Sequence, residues 1–479
     1  MNDFQRIKAT IEKKNFKKKS KLWKTIELLF PINRSLTGKG NRKTLSIIKK
    51  TLLPKLKIKK IKSGSEVYDW KVPFEWIVKD AYIKNKFGEK IIDFKENNLH
   101  LLNYSIPFSG IISKKKLMTH LHFLEDQPDL IPYRTSYYKK NWGFCVAAKL
   151  LSSDKFQGPF EVKINTDFKK NGNLIWGETF KKGKTENEII LSTYCCHPSL
   201  ANDNLSGLIT AIYLFKYIES IETKYSYRLL ICPETIGTIC FLHKAKFKKI
   251  LGGMILSCTG GPHKLSIKDS FDKNHWINKM AHKTLKAFTR NNYKTFKFEP
   301  DGSDERQYSS PAFRIPTPSI HKSKYYEYKE YHTSGDNLDF ISERSIKESL
   351  KVHKLWIKNI EAFKNKKIFK KIIKPEINIK KKTKKICFPE RKQMACEFQL
   401  GKIGLYPKLG GAINTKNISK KKMFKNSIKE KHLKAFNWLM HLADGYNSNY
   451  DISKKSKIDI KIINQAIKMF YKKKLINFR

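Results

Sequence analysis

Between about residues 140 and 365 this 479-residue chain alternates short apolar runs with stretches of helical periodicity. That alternation constrains its fold more than any other feature. EIILSTYC (188–195) and YRLLIC (227–232) read as strands, and between them Leu208, Ala211, Ile212, Phe215 and Ile218 recur at the spacing of one helix face. A further apolar run, GGMILSC (252–258), precedes a helix pattern from Trp276 to Phe288. Strands alternating with helices build βαβ units, whose crossovers cover a sheet on both faces. The expected class is therefore α/β, with a mixed, mostly parallel sheet and helices on both sides. Ligands of such sheets bind beyond the carboxyl ends of the strands. The residues just after each apolar run are thus the ones to inspect.

The flanking sequence has other textures. Residues 1–62 read as a basic helix followed by PINRSLTGKGNRKTL, a turn-rich lead-in to a second helix. Over 63–138, short strand-like runs (EVYDWKVP, EWIVKDAYI, KIIDF, HLLNYSIP) are separated by Gly, Asn, Asp and Pro, the pattern of a small β-rich unit. The α/β unit proper spans 139–365, and a basic connector ending in LGKIGLYPKLGG occupies 366–426. Residues 427–479 hold an amphipathic helix, a DGYNSNYDIS turn, a short second helix and a longer third, the texture of a winged helix-turn-helix.

Composition narrows the function classes. Hydrophobic residues are 40% of the chain and aromatics 12%, enough for more than one packed core. No run approaches the ~18 apolar residues of a membrane span, and the basic N-terminus lacks the apolar stretch of a secretory signal. The eight cysteines form no CxxC pair, which argues against a disulfide framework and a Cys-based zinc cluster. A soluble, reduced, cytoplasmic protein is expected. The net charge of +55 points to nucleic acid at first sight. Only 11 of the 98 basic residues are Arg, however, the usual base reader and phosphate clamp. The lysines also spread along the whole chain. Their abundance fits an A/T-rich coding bias, so nucleic acid is not the expected partner.

Three segments carry chemistry. In CCHPSLANDNLSG (195–207) a strand ends, His197 emerges at its tip, and Asp203 follows six residues later at the mouth of the next helix. An imidazole and a carboxylate on one loop can begin a zinc site. Alternatively, Asp203 caps the helix and His197 bonds locally. In PETIG (233–237), Glu234 follows the next strand, where a partly buried carboxylate can take a proton from water; an ordinary turn Glu is the plain alternative. In EYHTSGDN (330–337), His332 has hydroxyl and carboxylate neighbours suited to an outer shell. Upstream, DGSDERQ (301–307) is either a capped, salt-bridged turn or a substrate loop in which Arg306 faces a carboxylate or phosphate.

The order His–Asp, Glu, His, each at a strand end, resembles the zinc aminopeptidase and carboxypeptidase-like hydrolases. More closely, the chain resembles an uncharacterised bacterial family with an aminopeptidase-like domain, an inserted small domain and a C-terminal winged helix. That likeness rests on PINRSLTGKG (31–40), SGSEVYDWKVPFEW (63–76), IPYRTSYYKKNWGFC (131–145), CCHPSLANDNLSG, PETIG, GSDERQY (302–308), EYHTSGDN and LGKIGLYPKLGG (400–411). It makes residues 1–62 the start of the aminopeptidase-like domain and 63–138 its insert.

The resemblance implies that His197, Asp203 and His332 are metal ligands and Glu234 the general base. It also marks two departures: Thr235 stands where two-metal aminopeptidases have a second Glu, and Ser257-Cys258-Thr259 where they have a further Asp. One zinc ion per chain is therefore expected, with Cys258 a buried hydrophobe rather than a ligand. Arg306 and Tyr331 are candidates to stabilise the oxyanion. The implied reaction is hydrolysis of an amide bond in a small peptide, amino-acyl or amino-sugar substrate, associated with surface polysaccharide biosynthesis. The competing reading is a degenerate, non-catalytic fold that works through its winged helix, for which a protein partner is expected ahead of DNA.

Overall fold

The apolar runs of the α/β region are three central strands of an eight-stranded sheet. The structure is a computed structural model and describes residues 19–245, 250–363, 386–407, 410–411 and 430–479. The strands of the main sheet are β1 (Lys57–Lys62), β2 (Asn173–Lys181), β3 (Glu188–Tyr194), β4 (Ser226–Cys232), β5 (Ile250–Ile255), β6 (Ser266–Lys268), β7 (Lys294–Phe296) and β8 (Ser319–His321). They lie in the order β1-β2-β4-β3-β5-β8-β6-β7. The run β4-β3-β5-β8 is parallel throughout, and antiparallel contacts join β1 to β2, β2 to β4 and β8 to β6. From β3 the chain crosses to β4 on one side and then to β5 on the other. The carboxyl end of β3 is thus a switch point, where two loops diverge and leave a crevice.

The helices cover both faces, as the alternation requires. They are α1 (Lys21–Leu29), α2 (Lys39–Thr51), α3 (Gly207–Glu219), α4 (Ile236–Lys244), α5 (Trp276–Thr289) and α6 (Glu343–Ala362). All seven residues of β3 are buried. Successive side chains point to opposite faces: Ile189 and Leu191 pack with α1, α2, α3, α5 and α6, whereas Ile190 packs with α4 and the small β unit. This two-sided burial is why the parallel strands read as unbroken apolar runs rather than alternating ones.

Two unit boundaries differ from those drawn on the sequence. The small sheet has the order Lys90–Asp93, Glu75–Lys84, Phe160–Lys169, Phe108–Ile112, so one of its two central strands lies well past residue 138. Its alternation (PFEVKINTDFK) suits a half-buried strand of any sheet, and only the pairing assigns it. The winged helix begins near 389 rather than at 427, because Pro389–Arg391 pairs antiparallel with Ile476–Phe478. These two short strands join α7 (Glu430–Leu442), α8 (Asn449–Ser456) and α9 (Ile460–Lys472) around Phe436, Leu439, Ile452, Ile463 and Phe470. α8 starts on a Ser448–Asp451 capping box. Most of the connector lies outside the described residues. All eight cysteines are free, and no helix of the described residues is long and apolar enough to cross a membrane.

The β3–β5 contact has a steric requirement. A Cβ on Gly253 would meet the Ile190 carbonyl oxygen at 2.0 Å, whereas one on Gly401 would meet nothing within 4 Å. Gly253→Ala is expected to destabilise the chain by at least about 1–3 kcal/mol, with Gly401→Ala near neutral, as read by thermal denaturation.

Candidate metal centre

The three segments singled out in the sequence meet at the carboxyl ends of β3, β4 and β8. β3 ends at Tyr194, and the chain leaves it to place His197, whose carbonyl accepts from the buried Arg34 Nε at 3.0 Å. Residues 201–206 then make an irregular turn before α3, with Asp203 and Asn204 outside helical backbone angles. Asp203 makes no capping bond to α3. The carboxylate that braces this turn comes from the third segment. Asp336, fully buried, accepts from the Asn202 and Asp203 N–H groups at 2.5 and 3.0 Å and from the Tyr328 hydroxyl at 2.8 Å. The outer-shell carboxylate therefore grips the backbone of Asp203 rather than the ring of His332. Tyr133 N–H holds the His332 carbonyl at 2.7 Å, which docks the loop on the 131–135 segment.

The result is a compact donor set. One donor atom from each of His197, Asp203 and His332 lies within 4.8 Å of the others, and all three side chains are buried. His332 Nε2 is 2.9 Å from Asp203 Oδ2, yet neither ring nitrogen of His332 has an aligned hydrogen-bond partner. A buried imidazole left unsatisfied costs about 1–3 kcal/mol. A cation between ring and carboxylate would remove that cost. The charges also suit one. Burial is the main reason the His197 pKa falls to about 4, so its ring is neutral at pH 7 with a lone pair to offer. Burial alone would raise the Asp203 pKa, but His197, His332 and the Tyr194 hydroxyl outweigh it and hold the group ionised, at about 2. Two imidazoles and one carboxylate are a three-ligand set with an open fourth position. His332, Thr235 and Cys258 all have positive φ (55°, 64° and 53°), backbone strain of a kind that clusters at functional sites.

Glu234 stands beside this set, its Oε2 3.9 Å from His197 Nε2 and its side chain 22% exposed. Burial, then repulsion from Asp304 and Asp203, pushes its carboxyl well above the usual range. Arg306 is next door but engaged: Nη2 donates to Thr235 Oγ1 at 2.7 Å, and Nε lies 3.2 Å from Glu397 Oε2. Tyr331 stacks flat on His332, centroids 4.0 Å apart. Sequence reasoning passes over Tyr194, Tyr133 and Glu397. Tyr194 closes an apolar strand, and Tyr133 lies within a segment notable only for its likeness to a family. Glu397 arrives from a distant segment held by its backbone: its N–H donates to Gln307 Oε1 at 3.1 Å and its carbonyl accepts from Trp70 Nε1 at 2.8 Å.

Comparison with known proteins agrees with this geometry. Residues 23–363 match a family described as a domain of unknown function, DUF4910, and residues 388–478 match a winged helix-turn-helix family. The chain belongs to the DUF4910 family. A Clostridium acetobutylicum protein, provisionally named a polysaccharide biosynthesis protein with aminopeptidase-like domain, is 37% identical over 461 residues, 95% of each chain. A crystal structure from Clostridium acetobutylicum, of a protein provisionally described as a peptidase, is 34% identical, covers 99% of each chain and superposes with a TM-score of 0.68. The zinc aminopeptidase BSAP from Bacillus subtilis is 11% identical and covers 71% of this chain and 94% of its own, with a TM-score of 0.52, a likeness of fold. This DUF4910 domain is an aminopeptidase-like α/β fold that carries a buried His/Asp/His cluster.

If those three side chains bind metal, a His197→Ala, His332→Ala double variant should fold but fall to background metal content by elemental analysis after zinc loading. Metal retained at the wild-type level would place the ion elsewhere.

Proposed function

We propose that this protein is a zinc-dependent hydrolase, with one ion per chain, that cleaves an amide bond in a small peptide, amino-acyl or amino-sugar substrate. The observation that carries this reading is the placement of a raised-pKa carboxylate, Glu234, 3.9 Å from a cluster of two imidazoles and an ionised carboxylate. A zinc ion held by His197, Asp203 and His332 supplies Lewis acidity toward a carbonyl oxygen and acidifies water. The chain's own groups do the rest. Glu234, partly open to the cleft, takes a proton from the attacking water and passes it to the leaving amine. Its raised pKa suits the first half of that task, since a stronger base accepts a proton more readily. Tyr133 and Tyr331 wall the two imidazoles, the Tyr133 ring meeting both edge-on at 5.2 Å, and so fix the rings and exclude bulk water. Arg306, half-buried beside Thr235, adds positive potential next to Glu234 where the tetrahedral oxyanion forms.

The name of the Clostridium acetobutylicum relative supports a setting in surface polysaccharide biosynthesis. Eight free cysteines, seven of them buried, fit a reducing cytoplasm.

The test is a panel of aminoacyl anilides and N-acylated amino sugars offered to the zinc-loaded protein. Glu234→Gln should lower kcat by about 10²–10⁴-fold with zinc content unchanged. In the wild type, kcat should fall as pH drops through the Glu234 pKa, because only the ionised form is a base. Full activity of Glu234→Gln, or no turnover of any amide by zinc-loaded wild type, would contradict the proposal.

A further inference from the structure

Asp203 sits between the two histidines, and a carboxylate so placed has two modes open to it. It can give one oxygen to one ion, or one oxygen to each of two ions about 3.5–4 Å apart. Its two oxygens here have different surroundings. Oδ2 faces His332 Nε2 at 2.9 Å. Oδ1 accepts a hydrogen bond of 2.5 Å from the Tyr194 hydroxyl, and the Cys258 thiol lies 3.8 Å from the same oxygen. Both groups on the Oδ1 side are neutral and protic. Among the described residues the metal-capable cluster at this point contains His197, Asp203 and His332, and Cys258 lies outside it.

Tyr194 has little freedom to leave. It is 2% exposed, ends a fully buried strand, and its ring lies 5.3 Å from that of His197. Its carbonyl accepts from Asn204 Nδ2 at 3.1 Å, and Asn204 Oδ1 in turn accepts from the Cys258 N–H at 3.1 Å. Tyr194, the turn and Cys258 are thus fastened together as one assembly around Oδ1.

We infer that Tyr194 makes this centre mononuclear: its hydroxyl occupies Asp203 Oδ1, orients the carboxylate to bind one ion through Oδ2, and denies it the bridging mode. Tyr194 is a positioning residue in this role, since it acts through Asp203. The inference rests on the metal-binding half of the proposed function and is independent of the reaction catalysed.

The test reads zinc stoichiometry by elemental analysis and zinc affinity by competition with a chelator, on the full chain. Wild type should saturate at one ion. Tyr194→Phe removes a single oxygen atom from a packed ring, and should still take one ion but about 10–100-fold more weakly, the usual cost of losing an outer-shell partner. Cys258→Asp adds a carboxylate while leaving Tyr194 in place, and should stay at one ion. The double variant Tyr194→Phe, Cys258→Asp should take up a second. Two ions in the wild type, two in Cys258→Asp alone, or unchanged affinity in Tyr194→Phe would each overturn the inference. If the Asp variants do not fold, the Tyr194→Phe affinity still decides it. A wild type that binds one ion yet cleaves no amide sinks the hydrolase reading alone, whereas a wild type that binds none sinks both.

Discussion

An ionised carboxylate that is 1% exposed must recover from its neighbours what it has lost from water, and Asp203 is in that position. The rest of the centre can be understood as the answer to that requirement. A phenol meets one oxygen, an imidazole meets the other, and the Asp336 carboxylate braces the backbone on which Asp203 sits. These partners come from β3 and from a loop much later in the chain. Because each is itself buried, no member can be moved without exposing another. The unaligned 2.9 Å approach of His332 to Asp203 leaves both ring nitrogens of His332 unsatisfied, which the proposed cation would remedy.

The two appended units are part of the same construction. The small β unit contributes Trp70, whose indole binds the backbone of Glu397, while Asp69 accepts from Gln399 N–H at 2.7 Å. The 397–399 stretch of the winged-helix unit thereby lies between the insert and the loop bearing Arg306. Arg314 pairs with Asp444 of the winged helix at 3.0 Å, and the Cys396 N–H donates to Ser310 Oγ at 2.9 Å. The winged helix is therefore fastened to the region around Arg306 rather than tethered beside it. The guanidinium that adds charge near Glu234 is held partly by a residue of that C-terminal segment. A chain cut to its aminopeptidase-like part would lose this brace.

Much of this is legible in the amino-acid sequence. β3, β4 and β5 announce themselves because strands buried on both faces carry no polar alternation, and His197 and Glu234 stand out because each lies directly after such a run, with Asp203 six residues beyond His197 on the same loop. His332 lacks that cue, and its signal is the cluster of hydroxyl and carboxylate residues in its loop. The unreadable parts share one cause. Phe160–Lys169 alternates in a way that any sheet would accept, so its place in the small sheet depends on partners far away in sequence. Arg306, read as part of either a salt-bridged turn or a substrate loop, pairs with Glu397, a contact between distant segments without a local signature. Tyr194 reads as the last apolar residue of a strand, and only the three-dimensional turn of residues 201–206 brings a carboxylate to its hydroxyl. Of the two readings of Asp203, the helix cap is not the one seen, because the cap position of α3 is Ser206 and the Asp203 carboxylate meets Tyr194 and His332 instead.

The central claim is that three side chains hold one ion with nitrogen and oxygen donors alone. X-ray absorption at the zinc edge of the zinc-loaded full chain addresses it most directly. The account predicts a first shell of N/O donors at about 2.0–2.1 Å that includes two imidazoles. A sulfur shell near ~2.3 Å would make Cys258 or another cysteine a ligand, and a zinc neighbour at about 3.5–4 Å would make the centre dinuclear. Either result would contradict it.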